Sequence, residues 1–357
     1  MIPVTKTFFP PIEDYQKQVQ RIWDNQWLTN NGKLYQELSH KLIDYLGVHH
    51  VIPMTNGTMP LHIALNAFAD QGEVITTPFS YVATTAGIVW EKCTPVFVDI
   101  HPEYLTIDET KIEAAITEKT TAIVATHVYG NPCAVEEIAA IAKKHNLKVI
   151  YDAAHCFGVT YKGQSVFNYG DIATCSFHAT KLFHTGEGGA LFCQDAETRQ
   201  EMFYRHNFGH DGPEKYHGLG TNAKMSELQA AMGLSVLPYM EHIITERKRV
   251  CNFYDEHLDF KSFSKLKLRA GTQWNYAYYP IIFKSESQLL EVKERLEKEN
   301  INPRRYFYPS LEALPYIDSD NCPTAKDLAV RVLCLPLFVR LKQFELNKIT
   351  SLVNNYV

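Results

Sequence analysis

The chain has 357 residues, of which 45% are hydrophobic, and a formal net charge of −5. It exceeds the length that one hydrophobic core usually supports, so we expect two domains. The mild negative charge and the lack of a basic run argue against nucleic acids and anionic membranes as partners.

Short apolar runs alternate with amphipathic stretches between about residues 50 and 195. The runs are rich in β-branched residues and lack strict alternation, which is typical of strands covered on both faces. A helix is predicted over 134–144, where apolar residues recur at spacings of three and four and acids precede bases. This order predicts an α/β fold with a mostly parallel sheet and helices on both faces. The predicted strands are 74–77, 95–99, 121–126, 149–152, 172–176 and 190–193.

The pattern changes after about residue 240. A long polar helix is predicted over 240–258 and a strand rich in tyrosine and isoleucine over 275–283. Ser285 opens a string that matches a capping box for a helix ending near Glu299, and a last helix begins near Gln343. We therefore predict a large domain over 1–240, which includes the N-terminal segment, and a smaller α+β domain over 241–357.

Three segments place polar residues just after predicted strands, where open α/β sheets bind their ligands. The N–H groups and hydroxyl of Asn56-Gly57-Thr58 could hold a phosphate, although such triplets are more often simple turns. Tyr81 could stack on a planar cofactor, but a tyrosine after a strand usually belongs to the core. Asp152 ends a strand, where aspartate is a helix cap about as often as it is functional.

Lys181 follows the predicted strand that ends at Ser176 and precedes the glycine-rich string 186–189. Most lysines are solvated surface groups, but the glycines here would let the next strand pass close by. A lysine and an aspartate at the mouths of two buried strands are the charges that pyridoxal phosphate chemistry needs. The amine forms a Schiff base with the aldehyde, and the carboxylate keeps the ring nitrogen protonated. The sequence therefore predicts a pyridoxal phosphate site with Lys181 and Asp152 as its catalytic residues.

The combined motifs resemble the fold-type-I pyridoxal phosphate enzymes of the DegT/DnrJ/StrS sugar aminotransferase family. The resemblance extends from the string 27–32 to the C-terminal helix and includes 220–227, which contains Asn222. It implies a large cofactor-binding domain, with a mostly parallel sheet of the seven-stranded type sandwiched by helices, and a smaller C-terminal α+β domain. It also implies an obligate homodimer with shared active sites.

The resemblance implies roles for the residues around the cofactor ring. Lys181 matches the lysine that carries the cofactor and later moves the proton at the substrate carbon. Asp152 matches the partner of the pyridinium nitrogen, and Tyr81 matches the aromatic residue that stacks on the ring. His155 would lie near the phenolic oxygen, where many relatives have glutamine.

A second group of residues is implied to bind the phosphate. Gly57, Thr58 and Ser176 match the phosphate cup of the family. Asn222 matches the residue that reaches the phosphate bound in the other subunit. Asn56 departs from the small serine that is common in relatives, which should alter packing more than chemistry.

The resemblance implies a reaction in two halves. L-glutamate first donates its amino group to the cofactor, and a keto group on a nucleotide-linked deoxysugar then becomes an amine. The strings 177–180 and 187–189 resemble the branch that acts at C4. Within the family, the chain most resembles enzymes that aminate dTDP-4-keto-6-deoxyglucose, which implies this substrate and the synthesis of O-antigen or another surface polysaccharide. Amination at C3, or of a UDP- or GDP-linked sugar, remains open.

The small domain contains candidate substrate residues, namely Arg304, Arg305 and Tyr306. Two guanidinium groups could hold a nucleotide diphosphate bidentately. A solvated pair of surface arginines is an equally good interpretation.

Two alternative functions share this fold. Family dehydratases replace the lysine, typically by histidine, and a regulatory member would lose the chemistry, so the intact Lys181 and Asp152 argue against both. The histidines, including His49-His50, lack metal-ligand spacing, and no metal is expected. The eight scattered cysteines form no C-x-x-C pair, and we see neither a signal peptide nor a membrane-spanning segment. We therefore expect free thiols and a cytoplasmic protein.

Overall fold

The structure is a computed structural model that describes residues 1–355. Among these residues, no helix is both long and apolar enough to cross a bilayer. The α-helices are α1 Ile12–Asn25, α2 Lys33–Leu46, α3 Thr58–Phe68, α4 Val82–Trp90, α5 Glu109–Ile112, α6 Val135–His145, α7 Ala196–Arg205, α8 Glu227–Val236, α9 Met240–His257, α10 Glu286–Lys298, α11 Pro323–Arg331 and α12 Gln343–Asn354. The strands are β1 Ile2–Pro3, β2 His50–Met54, β3 Glu73–Thr76, β4 Thr94–Phe97, β5 Thr120–Thr126, β6 Lys148–Asp152, β7 Thr160–Tyr161, β8 Gln164–Ser165, β9 Ile172–Ser176, β10 Gly189–Cys193, β11 Phe263–Lys265, β12 Thr272–Gln273, β13 Pro280–Phe283, β14 Ile301–Asn302 and β15 Val332–Cys334.

A seven-stranded sheet forms the centre of the larger part of the molecule, in the order β2-β10-β9-β6-β5-β3-β4. Strand β10 is antiparallel to β2 and β9, and the other neighbours run parallel. The predicted strands correspond to β3, β4, β5, β6, β9 and β10, within two residues at each end. The prediction of an α/β fold with a mostly parallel sheet is confirmed.

Helices cover both faces of this sheet. Val149 and Tyr151 of β6 lie in a core that includes residues of α1, α2, α6 and α8, whereas Ile150 lies in a second core with residues of α3, α4 and α7. Successive strand residues point to opposite faces, so both sets are buried and the strands show no polar alternation. The predicted helix 134–144 is α6, with acidic residues in its first turn and basic residues in its last.

The C-terminal part has its own core and a three-stranded antiparallel sheet in the order β11-β13-β15. Helix α9 spans the two parts, because Met240 and Ile243 lie in the core of the large sheet and Val250 and Tyr254 lie in the C-terminal core. Strand β1 pairs in parallel with β14, so the first residues of the chain lie on the C-terminal part. The division at residue 240 falls at the start of α9 and stays a prediction.

The strand predicted over 275–283 is shorter in the structure, where β13 begins at Pro280. Tyr276 has a φ of 58°, which lies outside the strand region. The Arg247 guanidinium donates hydrogen bonds to the carbonyl oxygens of Tyr276 (2.8 Å) and Ala277 (2.6 Å). The prediction was wrong over 275–279 because a side chain from α9 binds the backbone that strand pairing would use.

Helix α10 begins after the predicted cap residue Ser285, whose hydroxyl accepts a hydrogen bond from the N–H of Gln288. The Gln288 side chain accepts in turn from the N–H of Lys284 and not from that of Ser285. The capping residue is therefore as predicted, but the reciprocal bond is shifted by one residue.

Candidate active site

A cavity of about 270 Å³ opens beyond the carboxyl ends of β6 and β9, and both parts of the chain line it. Most of the predicted site residues meet there, although they are far apart in the sequence. Asn222 and Arg305 are not among the lining residues. The predicted residues that line the cavity are Gly57, Thr58, Tyr81, Asp152, His155, Ser176, Lys181, Arg304 and Tyr306.

Asp152 is buried at the end of β6, with 5% of its surface exposed. Its Oδ2 accepts a hydrogen bond from the Thr84 hydroxyl (2.6 Å), and its Oδ1 accepts one from the N–H of Ala154 (3.1 Å). Burial raises the pKa of Asp152, while these hydrogen bonds and the charge of Lys181 act in the opposite direction. An N–H group or a cation bound beside this carboxylate would stabilise its charged form. Thr84 was not predicted from the sequence, because it lies in α4 and no motif surrounds it.

His155 is buried beside the cavity, and its Nδ1 accepts a hydrogen bond from the backbone N–H of Tyr129 (3.2 Å). Burial, together with the charge of Lys181, lowers the pKa of His155 well below its ordinary value, so the ring is neutral. A neutral ring that accepts at Nδ1 carries its proton on Nε2. The Phe307 ring lies parallel to it at a centroid distance of 5.7 Å. His155 therefore has one N–H left for an acceptor in the cavity.

Lys181 lies in the loop between β9 and β10, and its Nζ is 3.3 Å from the hydroxyl oxygen of Tyr278. The loop is held to the start of β10, because the N–H of Phe177 donates to the carbonyl oxygen of Gly188 (2.8 Å). A fixed loop thus places the amine against the cavity. Tyr278 comes from the C-terminal part of the chain, and no pattern near Lys181 indicated it.

The predicted phosphate cup lies where Gly57 packs against Ser176. A Cβ at Gly57 would be 2.7 Å from the Cβ of Ser176, and a Cβ at Gly189 would be 2.4 Å from the carbonyl oxygen of Asn56. Neither glycine has a positive φ, so both positions are restricted by space and not by backbone conformation. The prediction that the glycine-rich string lets β10 pass close by is met at Gly189.

Asn56 has a more specific part in this cup than the sequence suggested. Its Oδ1 accepts hydrogen bonds from the N–H groups of Thr58 (3.0 Å) and Met59 (2.9 Å). These are donors in the first turn of α3, at the position where a helix N-terminus binds anions. The side chain of Asn56 therefore caps the helix, and the expectation that its departure from serine alters packing more than chemistry stays a prediction.

The rim of the cavity includes His178 and Glu187, whose Nε2 and Oε1 atoms are 3.5 Å apart. The Gln229 side chain in α8 donates to the carbonyl oxygens of Glu187 (2.7 Å) and Thr55 (2.9 Å). One amide thereby ties the rim to the residue just before the phosphate cup. Sequence reasoning missed Gln229 because its two partners lie far from it in the chain.

The two predicted substrate arginines have different surroundings. Arg304 lines the cavity, with its guanidinium 4.6 Å from the ring centroid of Tyr306. Arg305 donates to Glu286 Oε1 (2.6 Å) and to the carbonyl oxygen of Val330 (3.0 Å). The joint bidentate role predicted for the pair does not fit this arrangement, because the Arg305 guanidinium is bound within the C-terminal part.

Asn222 lies outside the cavity of its own chain and is exposed. Its Oδ1 accepts a hydrogen bond from Lys224 Nζ (2.7 Å). The groove that ends beside it at Thr221 is also lined by Trp90 and Leu219, which are 79% and 77% exposed. Within residues 1–355, no group of three or more His, Cys, Asp or Glu residues is arranged to hold a metal ion.

The cavity residues fit pyridoxal phosphate. A buried carboxylate with a raised pKa can receive a ring N–H, and a neutral histidine can donate to a ring oxygen. The Lys181 amine lines the same cavity, and a cup without room for a Cβ lies at the start of a helix. The chain belongs to the DegT/DnrJ/EryC1/StrS aminotransferase family, whose model matches residues 11–354.

Curated relatives differ clearly in their similarity to this chain. The dTDP-4-amino-4,6-dideoxy-D-glucose transaminase of Shigella dysenteriae is 41% identical, over 98% of this chain and 97% of that protein. The GDP-perosamine synthase of Caulobacter vibrioides is 30% identical, over 92% and 91%. The UDP-N-acetyl-3-dehydro-alpha-D-glucosamine 3-aminotransferase of Acidithiobacillus ferrooxidans is also 30% identical, over 99% and 96%.

Solved structures share the fold over the full chain. The crystal structure of DesI in the presence of its TDP-sugar product has a TM-score of 0.93 and 32% identity, and covers 99% of this chain and 92% of that one. A sugar aminotransferase of Streptococcus pneumoniae in its PLP form shares the fold at a TM-score of 0.91 and 24% identity, over 99% and 97%. The predicted fold type and the pyridoxal phosphate cofactor are confirmed.

Proposed function

We propose that this enzyme transfers the amino group of L-glutamate to the C4 keto carbon of dTDP-4-keto-6-deoxyglucose. The product would be dTDP-4-amino-4,6-dideoxyglucose, for O-antigen or another surface polysaccharide. The observation that carries the proposal is 41% identity, over nearly the whole chain, to a transaminase named for this product. Relatives named for a GDP sugar or for amination at C3 reach 30%.

Three side chains are proposed to act around the cofactor ring, which when bound supplies an electron sink for the substrate carbon. Lys181 is the proposed attachment point and carries a proton to and from that carbon. Asp152 holds the proton on the ring nitrogen, supported by its burial and by the hydrogen bond from Thr84. His155 donates its Nε2–H to the phenolic oxygen, which fits the tautomer set by Tyr129.

The phosphate is proposed to bind where α3 begins, between Gly57, Thr58 and Ser176. Asn222 would complete the cup of a second copy of the chain, so the proposed enzyme is a homodimer. Its exposure outside the cavity of its own chain and the exposed side chains of Trp90 and Leu219 in the groove next to it support this role.

Substrate recognition is assigned to Arg304 and Tyr306 at the cavity. Arg304 supplies a guanidinium at the cavity wall, and the two proposed substrates are a dicarboxylate and a sugar diphosphate. Arg305 is assigned to the packing that supports this wall, through its ion pair with Glu286.

We place the enzyme in the cytoplasm. All eight cysteines are free and buried. Unpaired thiols fit a reducing compartment.

The test compares dTDP-, UDP- and GDP-linked 4-keto-6-deoxysugars with L-glutamate as the donor, and it determines the product by NMR. We expect the highest kcat/KM with the dTDP sugar. The product should carry its amine at C4, in either the equatorial or the axial configuration. A higher kcat/KM with a UDP or GDP sugar would reject the nucleotide assignment. An amine at C3 would reject the position.

A further inference from the structure

The segment 274–279 connects β12 to β13 and contacts the large domain, and we call it the tyrosine strap. It precedes β13 but is not itself a strand. The strap carries Tyr278, which lines the cavity together with Lys181.

Side-chain hydrogen bonds from several elements hold the strap in place. Asn275, 1% exposed, donates to the carbonyl oxygens of His155 (2.8 Å) and Phe157 (3.0 Å). The Trp274 indole N–H donates to the carbonyl oxygen of Tyr129 (2.8 Å). The buried Arg247 of α9 donates to the carbonyl oxygens of Tyr276 and Ala277. Buried polar groups that are satisfied in this way specify one backbone arrangement.

The Tyr278 ring is enclosed by other aromatic rings. Its centroid lies 4.8 Å from that of His155, 5.2 Å from that of Tyr306 and 5.8 Å from that of Tyr129. These contacts are tilted or edge-to-face, which is a favourable geometry for aromatic pairs. The position of the hydroxyl, 3.3 Å from Lys181 Nζ, is therefore set by contacts with both parts of the chain.

We propose that Tyr278 is a further catalytic residue, whose hydroxyl holds the Lys181 amine in position during proton transfer. This inference rests on the proposed role of Lys181. A hydroxyl can accept from an ammonium and donate to a neutral amine, so it can bind Nζ in both protonation states. The proton moves between the substrate carbon and Nζ, and Tyr278 keeps its own proton. The flexible lysine side chain is thereby kept in one orientation.

The first test compares Tyr278→Phe with Tyr276→Phe. The first substitution keeps the packed ring and removes only the hydroxyl, whereas Tyr276 does not line the cavity. We expect kcat of the glutamate half-reaction to fall about tenfold or more in Tyr278→Phe, with KM for glutamate little changed. The deuterium isotope effect with 2-deuterated glutamate should increase, because proton transfer becomes slower. Tyr276→Phe should behave like the wild type.

The second test uses the cofactor-free protein and needs no activity. Lys181 is labelled with trinitrobenzenesulfonate, and its modification rate is followed by peptide mass spectrometry. Removing the hydroxyl that covers Nζ should raise this rate severalfold in Tyr278→Phe and leave it unchanged in Tyr276→Phe. Unchanged labelling and an unchanged isotope effect in Tyr278→Phe would overturn the proposal. A cofactor adduct on a different lysine after borohydride reduction would instead overturn the role of Lys181, whatever the labelling result.

Discussion

At the scale of single residues, the proposed chemistry depends on Lys181. Lys181→Ala is expected to abolish turnover, because it removes both the attachment point and the proton carrier. The variant should still bind some cofactor, since the phosphate cup and Asp152 remain. Turnover and cofactor content measured on the same sample check this expectation. In the wild type, borohydride reduction should leave the pyridoxyl adduct on Lys181, and an adduct elsewhere would contradict the assignment.

The charged form of Asp152, which its proposed role requires, is expected to lower the stability of the cofactor-free protein. Burial raises its pKa in the folded protein, so the folded state binds a proton more tightly than the unfolded state does. The resulting stabilisation is present below the unfolded pKa and is lost as the pH rises through the folded pKa. In the cofactor-free protein, stability should therefore fall as the pH rises above the ordinary carboxyl range. Ligands that place an N–H or a cation beside Asp152 should reverse this loss.

Asp152→Asn should separate the two effects. A neutral amide cannot hold the ring nitrogen protonated, so turnover should fall about a hundredfold or more while the cofactor still binds. The same variant should remove the Asp152 part of the pH dependence of cofactor-free stability, measured by urea unfolding at several pH values. Near-normal turnover would show that Asp152 is only a structural cap. An unchanged pH dependence would show that burial does not raise the pKa of Asp152 in the folded protein.

At the scale of elements, the phosphate cup depends on how closely α3, β9 and β10 approach each other. Gly57→Ala should weaken cofactor binding by about tenfold or more, because the new methyl group would lie 2.7 Å from Ser176 Cβ and 2.9 Å from its Cα. Gly87→Ala in α4 is a matched control, since its Cβ would be 3.6 Å from the nearest atom. Cofactor retention after dialysis measures the difference. Equal retention in both variants would show that the cup can widen.

At the scale of the whole molecule, catalysis is expected to depend on assembly through Asn222. The test mixes a Lys181→Ala chain with an Asn222→Ala chain, each nearly inactive alone. If Asn222 serves the site of the other subunit, a mixed dimer has one site with both lesions and one intact site. Activity should then return in part. No recovery in a verified heterodimer would mean that Asn222 acts in its own chain.

The strands of the large sheet could be predicted from the sequence because their signal is local. Burial on both faces of β3, β5, β6 and β9 leaves a local apolar pattern, so these strands were placed within two residues. Lys181 and Asp152 were recognisable as candidates because Asp152 ends such a strand and Lys181 lies in the loop after another, at the edge of the sheet where ligands bind. Both signals come from residues that are neighbours in the sequence.

The meeting of distant side chains at the cavity could not be predicted from the sequence, because it depends on how the whole chain folds. Thr84, Tyr278 and Gln229 reach their partners from separate elements, and no local pattern announces such contacts. The late start of β13 at Pro280 was also not predictable from the sequence, because it follows from the hydrogen bonds of Arg247 to the preceding backbone. Periodicity reports whether a position is buried, whereas the identity of its contacts depends on how the whole chain packs.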